Sequence, residues 1–394
     1  MNDEQLKRVL RQTETPQYVF DIVALKERVK YLRRHLPEKT ILCYAIKANP
    51  FITRELSGCV DRFEVCSPGE GAICEQLKID PKKMVISGVY KTPAYIEHLV
   101  RDCPDIGHYT VESVSQALLL EELAEKYHRK LPVLLRLTSG NQFGLDEEEL
   151  REIIRSKQFR LDIRGIQYFS GTQKHSLKRI ARELEKLDSL MLALKQEEGF
   201  KVRELEYGPG LQVCYFQDDQ YDEKAFLEGF SQLLAARKAP GRLTLELGRS
   251  IAASCGTYLT TVVDAKRNQG QNYAIVDGGI HHLVYYGQSM AMRIPKHRFF
   301  PPRGGEGEKW NLFGSLCTVN DCLVKQLPAD GLRIGDCIAF ENTGAYCMTE
   351  GISLFLSRDL PGVSLLLEDG TVLPVRSAVA TSILNTPVYY EKGK

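Results

Sequence analysis

The sequence predicts an α/β protein, a (β/α)8 barrel joined to an antiparallel β domain. Two observations predict it. From Thr40 to about Ala252, short apolar or β-branched runs ending in small or polar residues alternate with stretches of helical period. After Ala252 the apolar runs lie close together with turn residues between them, which is the texture of antiparallel sheet. The expected boundaries are 17–252 for the barrel and 1–16 with 253–394 for the β domain.

The barrel runs are TILCYAI from Thr40, RFEVC from Arg62, KMVIS from Lys83, IGHYT from Ile106, LPVLLRL from Leu131, DIRGIQYF from Asp162, VRELEY from Val202 and LTLEL from Leu243. Helical stretches separate most of them, as SVSQALLLEELAEKYHRK follows the fourth and SLKRIARELEKLDSLMLALKQEEG the sixth. Eight such units make a TIM barrel, which typically takes ~250 residues. The β domain is carried by GTYLTTVVDAKR, NYAIVDGG, DCIAFENTGAY, VSLLLEDG and TVLPVRS, and PPRGGEGEK from Pro301 reads as an exposed loop.

Bulk properties narrow the function. With 52 basic against 51 acidic residues, no electrostatic pull towards nucleic acid or an anionic membrane is expected. The first residues are too polar for a secretory signal, and no apolar run reaches the ~20 residues that span a bilayer. The eleven cysteines lack paired CxxC spacing, which fits reduced thiols in a cytoplasmic protein better than disulfides or zinc.

Barrel chemistry sits at the C-terminal ends of the strands. Those positions hold Lys47, Glu64, Ser67-Pro68-Gly69-Glu70, Ser87-Gly88, Arg136, Gln167-Tyr168-Phe169, Tyr207-Gly208-Pro209-Gly210, Glu246 and Arg249. A lysine at the end of an apolar strand is a Schiff-base nucleophile once desolvation lowers its pKa. A rim ion pair with Glu64 is the plain structural alternative. The Gly208–Gly210 turn is either a simple turn or a cradle of backbone N–H groups for a phosphate. Glu246 is either a functional carboxylate or a salt-bridge partner of Arg249.

At Tyr44-Ala45-Ile46-Lys47-Ala48-Asn49 the chain resembles the fold-type III pyridoxal-phosphate decarboxylases, the group of diaminopimelate and ornithine decarboxylases. Further matching segments follow in family order. They are Phe63-Glu64-Val65, Ser87-Gly88-x-x-Lys91-Thr92, Gly171-Thr172-Gln173, Gly208-Pro209-Gly210, Glu246-Leu247-Gly248-Arg249, Val276-Asp277-Gly278-Gly279, Gly314-Ser315-Leu316-Cys317 with Asp321, and Glu341-Asn342-x-Gly344-Ala345-Tyr346. The resemblance implies an alanine-racemase-like architecture, pyridoxal 5'-phosphate as cofactor, and a homodimer with shared active sites. Lys47 would carry the cofactor, and Glu246 would face the pyridine nitrogen. Gly208, Gly210, Arg249 and Tyr346 would hold the phosphate, with Thr172, Leu247 and Gly248 beside them. Glu64 would lie near the ring. Cys317 would reach the other subunit's site and return a proton to the substrate.

Departures from the family pattern bear on the substrate. Phe169 stands where the family has a ring-stacking histidine, and Pro209 removes one backbone N–H from the phosphate turn. Thr318 replaces the acidic residue that follows the cysteine, and Tyr285 and Ser289 replace the arginine and tyrosine for a distal carboxylate. A natural-product branch, including the decarboxylase acting on a carrier-tethered glutamyl group in butirosin synthesis, shares VDGGxHH and CTxxD, here Val276–His282 and Cys317–Asp321. That branch also has an aromatic residue at the Phe169 position. The expected substrate is therefore a small amino acid or its conjugate, free or carrier-bound, with Asp321, Tyr285 and His282 as candidate contacts. His281-His282 has no third ligand and no metal site is expected. Diaminopimelate or another basic amino acid is the alternative substrate. A racemase of the same fold and a cofactor-free regulator are the other readings.

Overall fold

The computed structural model describes residues 1–156 and 161–388. It divides into two compact units. One comprises Lys26–Val213 and Tyr221–Ile251, the other Met1–Leu25, Cys214–Gln220 and Ala252–Lys394. The last six residues assigned to the β domain from sequence lie outside the described residues.

The first unit is a closed barrel of eight strands, all neighbours parallel. The strands are Ile41–Ala45, Arg62–Val65, Met84–Ile86, His108–Val111, Pro132–Leu137, Asp162–Phe169, Glu204–Gly208 and Arg242–Leu247, numbered one to eight below. Five fall inside a run expected from the sequence, and the other three overrun theirs by one residue, at Val111, Gly208 and Arg242. Closure comes from strand one pairing with strand eight, with Cys43 opposite Glu246.

Closing a barrel buries every inward side chain, and the usual filling is apolar. Here part of it is ionic. Arg62 on strand two forms a two-pronged ion pair with Glu204 on strand seven, with Nη1 on Oε1 and Nη2 3.2 Å from Oε2. These strands are not neighbours, so the pair crosses the barrel interior. Thr244 Oγ1 donates to Glu204 Oε1 at 2.9 Å, and Arg242 reaches Oε2 at 3.4 Å. Burial pushes the Glu204 carboxyl up, but Arg62 and His108 override that and hold it below the ordinary carboxylate value.

The second unit is a nine-stranded sheet. Sequence places Gln17–Asp21 with the barrel, but this strand sits inside the sheet. It pairs antiparallel with Gly256–Asn268 and parallel with Gly362–Leu366. Gln271–Val276 and Lys309–Phe313 are also parallel, so the sheet is mixed rather than antiparallel throughout. Parallel neighbours need long connections, and both pairs are far apart in sequence, a relation that strand texture does not reveal. The helix Asp3–Gln12, closed by a capping box of Asn2 and Gln5, buries Leu6 and Val9 against Val19, Leu259 and Leu366.

Arg62→Met should destabilise the protein by about 3 kcal/mol in denaturant unfolding, the low end for stranding a buried charge, because Arg242 remains near Glu204. A loss under 1 kcal/mol would show the pair is not holding the barrel interior.

Candidate active site

Strand one ends at Ala45, and a 3-10 turn, Ile46–Ala48, carries Lys47 over the barrel mouth. Its Nζ donates to Glu64 Oε2 at 2.7 Å and lies 3.8 Å from Glu246 Oε1. Cys66 Sγ is 3.5 Å from the same nitrogen and donates to Glu64 Oε1 at 3.2 Å. Glu246 Oε2 accepts from Gln167 Nε2 at 2.8 Å. The rim ion pair with Glu64 therefore exists, within a larger cluster.

The two carboxylates are not equivalent. Burial drives the Glu64 carboxyl upward, but the ammonium in direct contact reverses this and holds it low. Glu246 is pushed up to about 7, by burial first and by the Glu64 charge second, with Lys47 only partly opposing. One carboxylate is thus ionised at neutral pH and the other is poised to gain or lose a proton. Glu206, on strand seven, is fully buried, and neither oxygen has a hydrogen-bond partner among the described residues. Burial and the neighbouring Glu246 and Glu204 push its carboxyl well up, so it is held neutral.

Beyond the lysine, Arg136 Nη1 is held by Glu112 Oε2 at 2.9 Å. Lys91 is buried, its Nζ donating to Gly88 O at 2.8 Å, and burial lowers its pKa to about 8. The strand-seven loop is built for close approach. Gly208 lies under the Phe169 ring, where an added Cβ would stand 2.5 Å from Cδ2. Gly210 has φ +61°, and a Cβ there would stand 2.1 Å from Gly171 O. Only glycine fits either position. Arg249 Nε donates to Thr172 Oγ1 at 3.3 Å, and Leu247-Gly248 connects Glu246 to Arg249.

Lys47, Glu64, Phe169, Thr172, Gly208, Gly210, Glu246, Leu247, Gly248 and Arg249 all belong to the barrel unit. Cys317, Asp321, Tyr285, His282 and Tyr346 belong to the sheet unit. There, Cys317 is exposed. Asp321 is fully buried, and its oxygens accept from Ile280 N and Leu316 N, both at 2.7 Å. Tyr285 is buried, donates its hydroxyl to Glu341 O at 2.7 Å and packs edge-on to Tyr215. His282 is buried between Tyr258 Oη at 3.1 Å and Asp359 O at 2.8 Å, and burial lowers its pKa to about 4. Within their own unit these three side chains are committed to protein atoms. Tyr346 adopts φ +64°.

Sequence reasoning did not single out Cys66, Glu112 or Glu206. Cys66 lies two residues beyond Glu64, the period that keeps a strand residue on the same face, and that signal points to it.

A lysine among carboxylates beneath a glycine-lined loop suits a cofactor with an aldehyde, a ring nitrogen and a phosphate. The unpartnered Gln167 Oε1 and Glu112 Oε1 leave further polar atoms for a bound group among the described residues. This defines a pyridoxal-phosphate enzyme of the barrel-and-sheet kind. Residues 17–344 match the family described as pyridoxal-dependent decarboxylase, C-terminal sheet domain; the chain belongs to it and is a pyridoxal-phosphate-dependent carboxy-lyase. The L-glutamyl-[BtrI acyl-carrier protein] decarboxylase of Niallia circulans is 26% identical, covering 100% of this chain and 98% of its own. Diaminopimelate decarboxylase of Aquifex aeolicus is 28% identical over 94% of this chain and 91% of its own. The crystal structure of AQ1208 from Aquifex aeolicus superposes with a TM-score of 0.84 at 26% identity, over 96% of this chain and 92% of that one. No helix among the described residues is long and apolar enough to cross a membrane.

The raised Glu246 carboxyl has a measurable sign. Its proton is held more tightly in the folded than in the unfolded state, so its contribution to stability is complete below about 4.5 and is lost as pH rises through about 7. In cofactor-free protein, the thermal midpoint of wild type relative to Glu246→Gln should fall across that window. A difference that stays flat or rises would contradict the assignment.

Proposed function

We propose that the protein decarboxylates a conjugated or carrier-tethered amino acid, using a cofactor attached at Lys47 in a homodimer with shared sites. The observation that carries the substrate reading is that, among the described residues, the positions expected to meet a distal ammonium and carboxylate offer no available charge. Thr318 offers a hydroxyl, which already accepts from Asn320 N at 3.3 Å. Tyr285 is neutral and bonded to Glu341 O. Arg293, the nearby cation in sequence, is paired with Asp218 and Asp219 at 2.7 Å each and stacked on the Phe216 ring at 4.0 Å. Burying an unpaired charge is expensive, so a neutral or amide-linked tail is favoured. Two relatives are named for such substrates. One acts on a glutamyl group on a carrier protein. The other, from Staphylococcus aureus, is the 2-[(L-alanin-3-ylcarbamoyl)methyl]-2-hydroxybutanedioate decarboxylase, 26% identical over 87% of this chain and 92% of its own.

When bound, the cofactor supplies an electron sink for the pair left as CO2 departs. The chain supplies position and proton control. Lys47 would hold the cofactor, and Glu64 would keep the Lys47 side chain in place. Glu246, fixed by Gln167, would hold the ring nitrogen, whose positive charge would draw its pKa back down. Gly208, Gly210, Thr172 and Arg249 would receive the phosphate. Phe169 covers the ring without offering a charge. Cys317, from the second subunit, returns a proton to the reacting carbon. Asp321, Tyr285 and His282 act by shaping the loops around it.

The sheet unit supports the dimer. Ile352, Leu354, Phe355, Leu356, Ile383 and Leu384 are each at least 44% exposed. Asn385 ties their two segments together, donating to Leu354 O at 3.1 Å and Ser357 Oγ at 2.9 Å. An apolar surface of this kind fits burial against another copy.

Mixing inactive Lys47→Ala and Cys317→Ala subunits should restore part of the activity through hybrid dimers. Persistent inactivity despite demonstrated subunit exchange would exclude shared sites. In a CO2-release screen, conjugated or carrier-tethered amino acids should exceed meso-diaminopimelate in kcat/KM. The diaminopimelate alternative rests on relatives such as the Aquifex enzyme. It wins if meso-diaminopimelate reaches about 10⁴ M⁻¹s⁻¹ and exceeds every conjugate tested.

A further inference from the structure

On the outside of the barrel, two helices bring three metal-ligating side chains together. Glu75 lies at the end of helix Pro68–Gln76. His98 lies on helix Pro93–Asp102, and Cys103 caps that helix. One ligand atom from each falls within 4.8 Å of the other two. Zinc bonds of about 2.0–2.3 Å in tetrahedral geometry place ligand atoms about 3.3–3.8 Å apart. Torsional adjustment of partly exposed side chains supplies the difference.

The hydrogen bonding around His98 is that of a ligand. Nδ1 lies 2.8 Å from Asp102 Oδ2. Asp102 is gripped by the Arg101 guanidinium in an ion pair, at 2.8 and 2.7 Å. An ionised carboxylate has no proton to give, so Nδ1 carries the hydrogen. In a neutral ring, Nε2 then presents a lone pair, and it faces Glu75 Oε1 at 3.4 Å. Two acceptors face one another, and the space between them calls for a proton or a cation. The Cys103 thiol stands beside them. A divalent cation there stabilises the thiolate and offsets both carboxylates. A histidine whose other nitrogen is held by a carboxylate is the usual arrangement around a metal.

We propose that Glu75 Oε, His98 Nε2 and Cys103 Sγ form a site for a thiophilic divalent cation of the zinc class, with water in the fourth position. The sulfur donor disfavours magnesium and calcium. Binding releases the thiol proton to solvent and involves no redox change. The cation joins helix Pro68–Gln76 to helix Pro93–Asp102. It therefore braces the helix whose first turn carries Glu70, the acceptor of the Cys66 N–H at 2.6 Å.

The test uses chelator-stripped holoenzyme titrated with Zn²⁺, and with Co²⁺ as a spectroscopic probe. The expected result is one equivalent per chain, cobalt ligand-field bands at longer wavelength than the cofactor's absorption, and a thermal midpoint that rises with free zinc. Cys103→Ser and His98→Gln should each weaken binding more than tenfold, and Asp102→Asn by about tenfold. Decarboxylation by the stripped variants should match stripped wild type, which also reports that they are folded. No stoichiometric uptake would overturn the proposal, leaving a proton on Nε2 as the occupant of that space. Uptake that survives both Cys103→Ser and His98→Gln would also overturn it, because other cysteines would then hold the metal.

Discussion

A single ammonium stands between two carboxylates at the head of the barrel, Lys47 Nζ being 2.7 Å from Glu64 Oε2 and 3.8 Å from Glu246 Oε1. With both carboxylates buried and only the lysine partly exposed, the three groups cannot all be charged without compensation. The closer carboxylate takes the negative charge and the farther one is left undecided near neutrality. The surrounding arrangement follows from this. Gln167 fixes the undecided carboxylate, Cys66 satisfies the second oxygen of the charged one, and Glu112 holds the nearby Arg136. Deeper inside, Arg62 and Glu204 form a second ionic layer, which Thr244 and Arg242 join.

The sheet unit solves a different problem. Cys317 lies on an exposed turn, and the proton donor proposed there would be poorly aimed if the turn were loose. Asp321 removes that freedom by accepting backbone N–H groups from both Ile280 and Leu316, which couples two turns through one buried side chain. Gly279 and Gly314 allow this because a Cβ on either would meet the Asp321 carboxylate, at 2.6 and 2.4 Å. A carboxylate in a reactive-site motif can thus serve by holding backbone rather than by touching substrate.

The barrel was legible because its period is local. Each strand announced itself by a short apolar run, and Lys47, Glu64 and Glu246 fell where such runs end. The tight turn after strand seven was legible through Gly208 and Gly210, which the structure leaves no room to replace. Strand Gln17–Asp21 was not, since its sheet partners lie at the other end of the chain and nothing in QYVFD distinguishes a barrel strand from a sheet strand. The roles of Tyr285 and His282 were obscured for a related reason. Alignment gives a residue's place in a motif, whereas its hydrogen bonds to Glu341 O and Asp359 O depend on distant backbone. Glu75 and His98, 23 positions apart, make no spacing motif at all.

The placement of Gln17–Asp21 has a consequence for the order in which the chain is made. Its parallel neighbour, Gly362–Leu366, emerges about 345 residues later. At about 5–20 residues per second, translation separates the two by roughly 17–70 s. The barrel segments are complete well before then. During that interval a strand that is buried along its whole length in the finished sheet has no partner on that side, and an unpaired apolar edge invites association with other chains. On the ribosome, strand Gln17–Asp21 therefore waits for its second sheet neighbour until after the barrel segments have been made.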